Sequence, residues 1–367
     1  MNVVKAIVKS IRRVSTPALT VALVWQIAAA QSGGSFSVTR SAIVSGGAFS
    51  SGGTFAVNST IGEPLSGNQS LGGNFRLISG FWNAAAATAP RRTLWDFDGD
   101  SRSDVSVYLP NVAEWWYLRS VDGANRAFQF GAVSDIIAPA DFTGDGKTDI
   151  AFFRPSTGFW YVIRSEDFSY FAFPFGQAGD IPVPADYDGD NKADPAVFRP
   201  GSTAMWFVNR STGGTSAQGF GTTGDQPIQA DYDGDGKTDV AIYRPSVAEW
   251  WLFRSAAGVV GVQFGASGDK TAVADFTGDG KTDICFFRPS NGNWFVLRSE
   301  NFSFFSFPFG TSGDIAAPGD YDGDGKADPT VFRPSQGMWF VNRSTGGTSF
   351  VAFGSNGAIP IPAAYGR

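Results

Sequence analysis

Apolar and polar positions alternate along this chain in short runs, never in long ones. From residue 92 onward, mainly apolar stretches of three to five residues are cut by turns rich in Gly, Pro and Asp. Val105–Leu109, Ile150–Phe153, Ala196–Phe198, Val240–Tyr243, Ile284–Phe287 and Thr330–Phe332 are one such set. A second set is aromatic and begins at Trp115, Trp160, Trp206, Trp250, Trp294 and Trp339. No segment of useful length carries the 3.6-residue period of an amphipathic helix, so the pattern predicts strands throughout. The first set ends in Arg-Pro in five copies and in Leu109-Pro110 in the first, and proline stops a strand ladder. A third strand leads to Phe-Gly, and a fourth runs into an acidic loop.

That loop sets the period. It begins at Asp96, Asp141, Asp186, Asp231, Asp275 and Asp320, with spacings of 45, 45, 45, 44 and 45 residues. Four short strands per unit of this length predict an all-β fold, a β-propeller of six four-stranded blades. The same units show a longer period. Repeats 1, 2 and 3 match repeats 4, 5 and 6 at an offset of 134–135 residues, as in Ala113-Glu-Trp-Trp against Ala248-Glu-Trp-Trp. A duplicated three-blade unit favours six blades. The tail from Ile359 to Tyr365 repeats the inner strand once more without its loop. With strands near Phe36–Val44, Thr54–Ile61 and Phe75–Trp82 it would close a seventh blade, which stands as the alternative.

The loop also carries the chemistry. With its first residue as position 1, side-chain oxygens recur at positions 1, 3, 5 and 9. They belong to Asp96, Asp98, Asp100 and Asp104; Asp141, Thr143, Asp145 and Asp149; Asp186, Asp188, Asp190 and Asp194. The remaining loops supply Asp231, Asp233, Asp235 and Asp239; Asp275, Thr277, Asp279 and Asp283; Asp320, Asp322, Asp324 and Asp328. So many carboxylates in nine residues repel one another unless a cation neutralises them, and Ca²⁺ takes 6–8 oxygen ligands in a flexible shell. The backbone carbonyl at position 7 (Arg102, Lys147, Lys192, Lys237, Lys281, Lys326) and a water would complete it. An EF-hand is excluded, because position 12 holds Val107, Phe152, Val197, Ile242, Phe286 or Val331 where that motif needs a bidentate Glu. A single Asp/Gly cluster reads equally well as a turn; six with the same oxygen offsets predict up to six Ca²⁺ sites. The two Thr-containing loops carry one charge less and are expected to bind more weakly.

The recurring Phe-Gly turn, the Asp-x-Asp-Gly-Asp-x-x-x-Asp loop and their spacing resemble FG-GAP/VCBS repeats, the blades of integrin-α-like β-propellers, over residues 92–367. The resemblance implies that each calcium loop joins the innermost strand of a blade to the second. It also implies adhesion or ligand binding more often than catalysis.

Upstream, residues 1–30 read as an export signal. Lys5, Lys9, Arg12 and Arg13 precede an apolar run from Pro17 to Trp25, and Ala28-Ala-Ala30 before Gln31 fits the small-residue cleavage rule. The Arg12-Arg13 pair hints at twin-Arg export, and the apolar run is too short to span a bilayer. Residues 31–84 form a Gly/Ser-rich β segment and residues 85–91 a linker. Without the leader's four cations the chain has net charge −10, since 24 basic residues face 34 acidic ones. The six loops hold 22 of those acids, so six Ca²⁺ ions would bring the charge to +2. The acidity is thereby assigned to cations, and no basic run suggests nucleic acid.

Composition narrows the function. The chain has no His, which removes Ser-His and Cys-His pairs and His-ligated zinc. Cys285 is the sole cysteine and sits in an apolar strand, as a buried small hydrophobe would. Glu114 with Glu249 and Glu166 with Glu300 recur in duplicated positions, which is scaffold behaviour rather than one catalytic centre. The 34 Phe, 11 Trp and 9 Tyr recur in every repeat and read as packing between blades rather than as sugar platforms. The repeated arginines read as structural clamps. The expected protein is a secreted or cell-surface monomer without a membrane span. It would bind a glycan or an extracellular protein through its variable turns, and would not be an enzyme. The alternatives are a propeller-type polysaccharide-degrading enzyme and a purely structural matrix protein.

Overall fold

The computed structural model describes residues 93–363 continuously, together with four short strands upstream at 48–52, 55–59, 69–72 and 75–78. The chain divides into two units, Met1–Ala87 and Thr88–Arg367. In the first, Ala48–Gly52 pairs antiparallel with Phe55–Ser59, and Gln69–Gly72 with Phe75–Ile78. Residues 1–30, expected as a leader, residues 85–91, expected as a linker, and the Phe36–Val44 segment lie outside the described residues.

The second unit is a six-bladed propeller of four-stranded antiparallel sheets. Blade 2 shows the pattern. Its strands are Ile136–Ile137, Ile150–Arg154, Phe159–Ile163 and Tyr170–Pro174, hydrogen-bonded in that order. The first strand has two residues and sits at the axis, where room is least. The fourth alternates between exposed and half-buried residues, as a peripheral edge does. The second strand is buried on both faces, which accounts for its unbroken apolar run. Blades 3 to 6 repeat this order.

Blade 1 is assembled from both ends of the propeller. Ile359–Pro360 pairs with Val105–Leu109, which pairs with Glu114–Leu118, then Asn125–Gln129. The tail therefore supplies the missing inner strand of blade 1, and the alternative of a seventh blade is excluded. The sequence repeat, counted from loop to loop, is offset from the structural blade by one strand.

Packing between blades rests on tryptophan. Trp115, Trp160, Trp206, Trp250, Trp294 and Trp339 are completely buried. Each indole N–H donates to the carbonyl of the Phe in the Phe-Gly turn, at 2.6–3.0 Å. Buried indoles need such a partner, and finding it at the Phe-Gly turn of every blade makes these residues scaffold. Arginine also serves the scaffold. Arg154, Arg199, Arg244, Arg288 and Arg333 each grip the buried Asp of the preceding Gly-Asp or Ser-Asp turn (Asp135, Asp180, Asp225, Asp269, Asp314) through two nitrogens at 2.7–2.9 Å. Four of the five also lie over aromatic faces. The clamped carboxylates belong to the turns before the inner strands and not to the acidic loops.

Candidate metal centres

Each acidic loop of blades 2 to 6 joins the innermost strand to the second. It is closed at its base by a bridge between the residue before position 1 and position 9, such as Ala140 with Asp149. Within the loop the aspartates have distinct duties. Position 1 organises the turn. Asp96 Oδ1 accepts the amide of Gly99 at 2.5 Å and Oδ2 that of Ser101 at 2.8 Å, and Asp231 does the same with Gly234 and Gly236. Position 9 is buried in all six loops and ties two segments together. Asp104 Oδ2 accepts the amide of Phe97, and Oδ1 accepts that of Ser120 in the turn after the aromatic strand Glu114–Leu118. Asp149, Asp194, Asp239, Asp283 and Asp328 repeat the second bond with Ser165, Ser211, Ser255, Ser299 and Ser344.

Position 5 faces outward and is held by the same serine. Its carboxylate accepts the hydroxyl of Ser120, Ser165, Ser211, Ser255, Ser299 or Ser344 at 2.5–3.1 Å. In three of the loops position 3 keeps an oxygen without a partner. Asp233 Oδ1, Asp322 Oδ1 and Thr143 Oγ1 are shielded from solvent and have no hydrogen-bond partner.

The carboxylates of positions 1, 3 and 9 converge in the four all-Asp loops. Ligand atoms of Asp96, Asp98 and Asp104 lie within 4.8 Å of one another, as do those of Asp186, Asp188 and Asp194, of Asp231, Asp233 and Asp239, and of Asp320, Asp322 and Asp328. Asp100, Asp190, Asp235 and Asp324 stand outside these clusters. In the other two loops Asp141 and Asp149, and Asp275 and Asp283, share their loop with Thr143 and Thr277, while Asp145 and Asp279 are exposed. Burial, opposed by the backbone amides and reinforced by neighbouring aspartates, raises the position-9 carboxyls: Asp104 to about 7, and Asp149, Asp239 and Asp328 to about 6. Asp96, Asp186, Asp231 and Asp320 are raised for the same first cause. Converging carboxylates with costly charge and buried orphan oxygens suit a hard cation.

The six loops form a closed ring. The amide at position 8 of each loop donates to the carbonyl at position 1 of the preceding loop. Thr148 donates to Asp96, Ala193 to Asp141, Thr238 to Asp186, Thr282 to Asp231, Ala327 to Asp275, and Ser103 back to Asp320, at 2.6–2.7 Å. The position-7 side chain of each loop lies over the position-4 glycine of the preceding one. A Cβ on Gly99 would meet Lys147 at 2.8 Å, and one on Gly323 would meet Arg102 at 3.1 Å. The glycine also sits at φ +87° in Gly99, so bend and close approach both exclude a side chain. Arg-Ser recurs after every aromatic strand in the sequence, and that recurrence was the available signal for the serine tie. The ring has no sequence signature beyond the repeat itself.

An FG-GAP-like repeat model matches residues 275–329, which span the acidic loop of blade 5, the rest of that blade and the loop of blade 6. No curated protein sequence matches the chain significantly. Among solved structures, a streptogramin B lyase aligns with a TM-score of 0.46 at 7% identity, over 72% of this chain and 87% of that one. An Agrocybe aegerita lectin that recognises non-reducing terminal N-acetylglucosamine aligns with a TM-score of 0.45 at 16% identity, over 68% and 90%. A Staphylococcus aureus virginiamycin B lyase gives 0.44 at 7%, over 71% and 86%. These likenesses join enzymes to a lectin and are too distant to decide between them. The repeat match over residues 275–329, the six-fold recurrence of the loop and the six-bladed fold support an FG-GAP repeat β-propeller.

Proposed function

We propose that this chain is an exported, calcium-stabilised propeller that acts as a binding module for a glycan or an extracellular protein. The observation that carries the calcium reading is the convergence of the position 1, 3 and 9 carboxylates, with solvent-shielded oxygens of Asp233 and Asp322 left without a partner. Bound Ca²⁺ would neutralise the loop, held by the converging carboxylates of positions 1, 3 and 9, with position 5 and the position-7 carbonyl turning in to complete its shell. It would thereby fix position 9, which joins the loop to the serine turn, and the ring that joins blade to blade. The binding role is supported by the scaffold itself. Outside the loops Asp135, Asp180, Asp225, Asp269 and Asp314 are engaged in clamps, and Glu114 and Glu249 each accept an indole N–H from the Trp two residues on. Among those residues no helix is long and apolar enough to cross a membrane. The leader-like first 30 residues support export.

A thermal melt in excess Ca²⁺ and in EGTA tests the metal. A ligand that binds only the folded state at 100 times its Kd adds about 2.7 kcal/mol per site, so the melting point is expected to rise by at least ~10 °C over several sites. No rise would reduce the loops to turns. A glycan array on the calcium-loaded chain then separates a lectin from a protein-binding module, since only the former is blocked by a soluble sugar.

A further inference from the structure

The tripeptide Ser-Asn-Gly occurs twice in this chain, at Ser290-Asn291-Gly292 and Ser355-Asn356-Gly357. An asparagine before glycine can cyclise, because the next amide nitrogen reaches the side-chain carbonyl carbon and no Cβ stands in its way. The two copies share the same three residues, so the fold decides between them. Asn291 is locked. Its side-chain oxygen accepts the amide of Asn293 at 3.1 Å. The amide of Gly292 donates to the carbonyl of Arg288 at 2.9 Å, and its own carbonyl accepts the amide of Phe309 at 2.9 Å. Gly292 is buried, and a Cβ there would collide with the carbonyl of Gly310.

Asn356 is free to react. It is exposed, and neither its side chain nor the amide of Gly357 has a hydrogen-bond partner among the described residues. Gly357 sits at φ +86° with open space where a Cβ would be. The turn around it is also less fixed than its counterparts. In blades 2 to 6 that turn ends in an aspartate whose carboxylate accepts the turn's first amide, from Ala132, Gln177, Thr222, Ala266 or Thr311, at 2.7–2.9 Å. Ala358 removes this cap, and the turn keeps the backbone bond from Ala358 to Ser355 at 3.1 Å. Asn356 lines a cleft of about 450 Å³ with Asp314 and Arg333, so water reaches it.

We propose that Asn356 is a self-modification site, a deamidation point in the turn that closes the ring. The Gly357 nitrogen attacks Cγ of Asn356 and a new N–Cγ bond forms. The Cγ–Nδ2 bond breaks, and Nδ2 leaves as ammonia with the proton of the Gly357 amide. Water then opens the succinimide at either carbonyl, leaving aspartate or isoaspartate. Nothing is oxidised or reduced, and water is the only co-reactant. Isoaspartate lengthens the main chain by a methylene, beside the buried Ala358 and the closing strand Ile359–Pro360. A carboxylate also arises in the cleft that holds the Asp314–Arg333 clamp. Both changes weaken the closure, so the reaction sets a lifetime on the folded ring. The site stands independently of the function proposed above.

Ageing the full chain in Ca²⁺ at mildly alkaline pH, followed by peptide mass mapping, tests it. The mass change of NH2 replaced by OH should accumulate at Asn356 at least about tenfold faster than at Asn291, since hydrogen bonds hold the latter back. In the urea-unfolded chain the two sites should convert at similar rates. Equal rates in the folded chain, no conversion at Asn356, or a difference that persists in urea overturns the proposal. The melting point of the aged chain should fall, whereas Asn356→Ser should hold its value. That variant carries the residue that blades 5 and 6 have as Ser267 and Ser312; Asn356→Thr, as at Thr223, replaces it if folding fails. A chain converted at Asn356 that melts unchanged overturns the effect on closure.

Discussion

Blade 1 differs from the other five at the places where a closed ring is hardest to hold. Blades 2 to 6 are each built from one continuous stretch, and each clamps its inner strand to its second strand by an Arg–Asp pair. Blade 1 takes its inner strand from the tail, and there both partners of the clamp change together. Leu109 stands where the others have Arg, and Ala358, 3% exposed, stands where they have Asp. Ala358 is buried, and Leu109 packs partly buried against the same apolar cluster. The loop of blade 1 is also the more strained. Position 6 is glycine in four loops, but here it is Ser101 at φ +68°, and only Asn191 shares that departure. The comparison teaches that losing a buried ion pair is tolerable when both members leave and apolar atoms replace them, whereas losing one is not.

The largest expected effect comes from breaking the closure outright. A chain ending at Ser355 lacks Ala358, Ile359, Pro360 and the buried Ile361, so blade 1 loses its inner strand and exposes an unpaired edge. Its thermal transition, followed by circular dichroism, should lose cooperativity or fall by tens of degrees; an unchanged melt would mean the tail does not close the ring.

The clamp offers a finer break. Arg244→Leu strands the buried Asp225 and should cost about 2 kcal/mol, allowing for the partial exposure of the arginine. Adding Asp225→Ala copies blade 1 and should recover most of that loss. Denaturant melts of the two single variants and the pair give the coupling, and strict additivity would show that the natural exchange in blade 1 carries no compensation.

Protonation separates the loops next. A carboxyl whose folded pKa is raised favours the folded state only while protonated. In EGTA, stability should therefore fall as pH rises above the ordinary carboxylate value near 4 and continue falling through about 7 for Asp104 and about 6 for Asp149, Asp239 and Asp328. Asp104→Asn should flatten the upper part of that fall in EGTA and weaken the gain from Ca²⁺. A melting point that climbs with pH in EGTA would contradict the burial argument.

The smallest effect sharpens the same contrast. Ser101→Gly relieves a left-handed residue and should stabilise the chain by about 1 kcal/mol, while glycine at position 6 of the neighbouring loops already has that freedom. Chemical denaturation resolves a difference of this size.

Much of this was legible in the chain. The period, the strand-rich class and six blades follow from the spacing of Asp96, Asp141, Asp186, Asp231, Asp275 and Asp320, because side-chain alternation and turn residues are local properties. The grouping of positions 1, 3 and 9 was legible for the same reason: a nine-residue turn with glycine at position 4 brings its own residues together. The outward placement of position 5 was not, since it depends on a serine about 20 residues away. Cys285 is completely buried, as its apolar run implied.

By itself the sequence determined the repeat, the strands, the acidic turns and the Arg-Ser recurrence, all set by chemistry within one unit. Tertiary structure alone decided that Ile359–Pro360 completes blade 1, that Leu109 and Ala358 meet within that blade, and that six loops link into a circle. The reason is physical. These relations join residues from different blades or from opposite ends of the chain, and they exist only once the ring has closed.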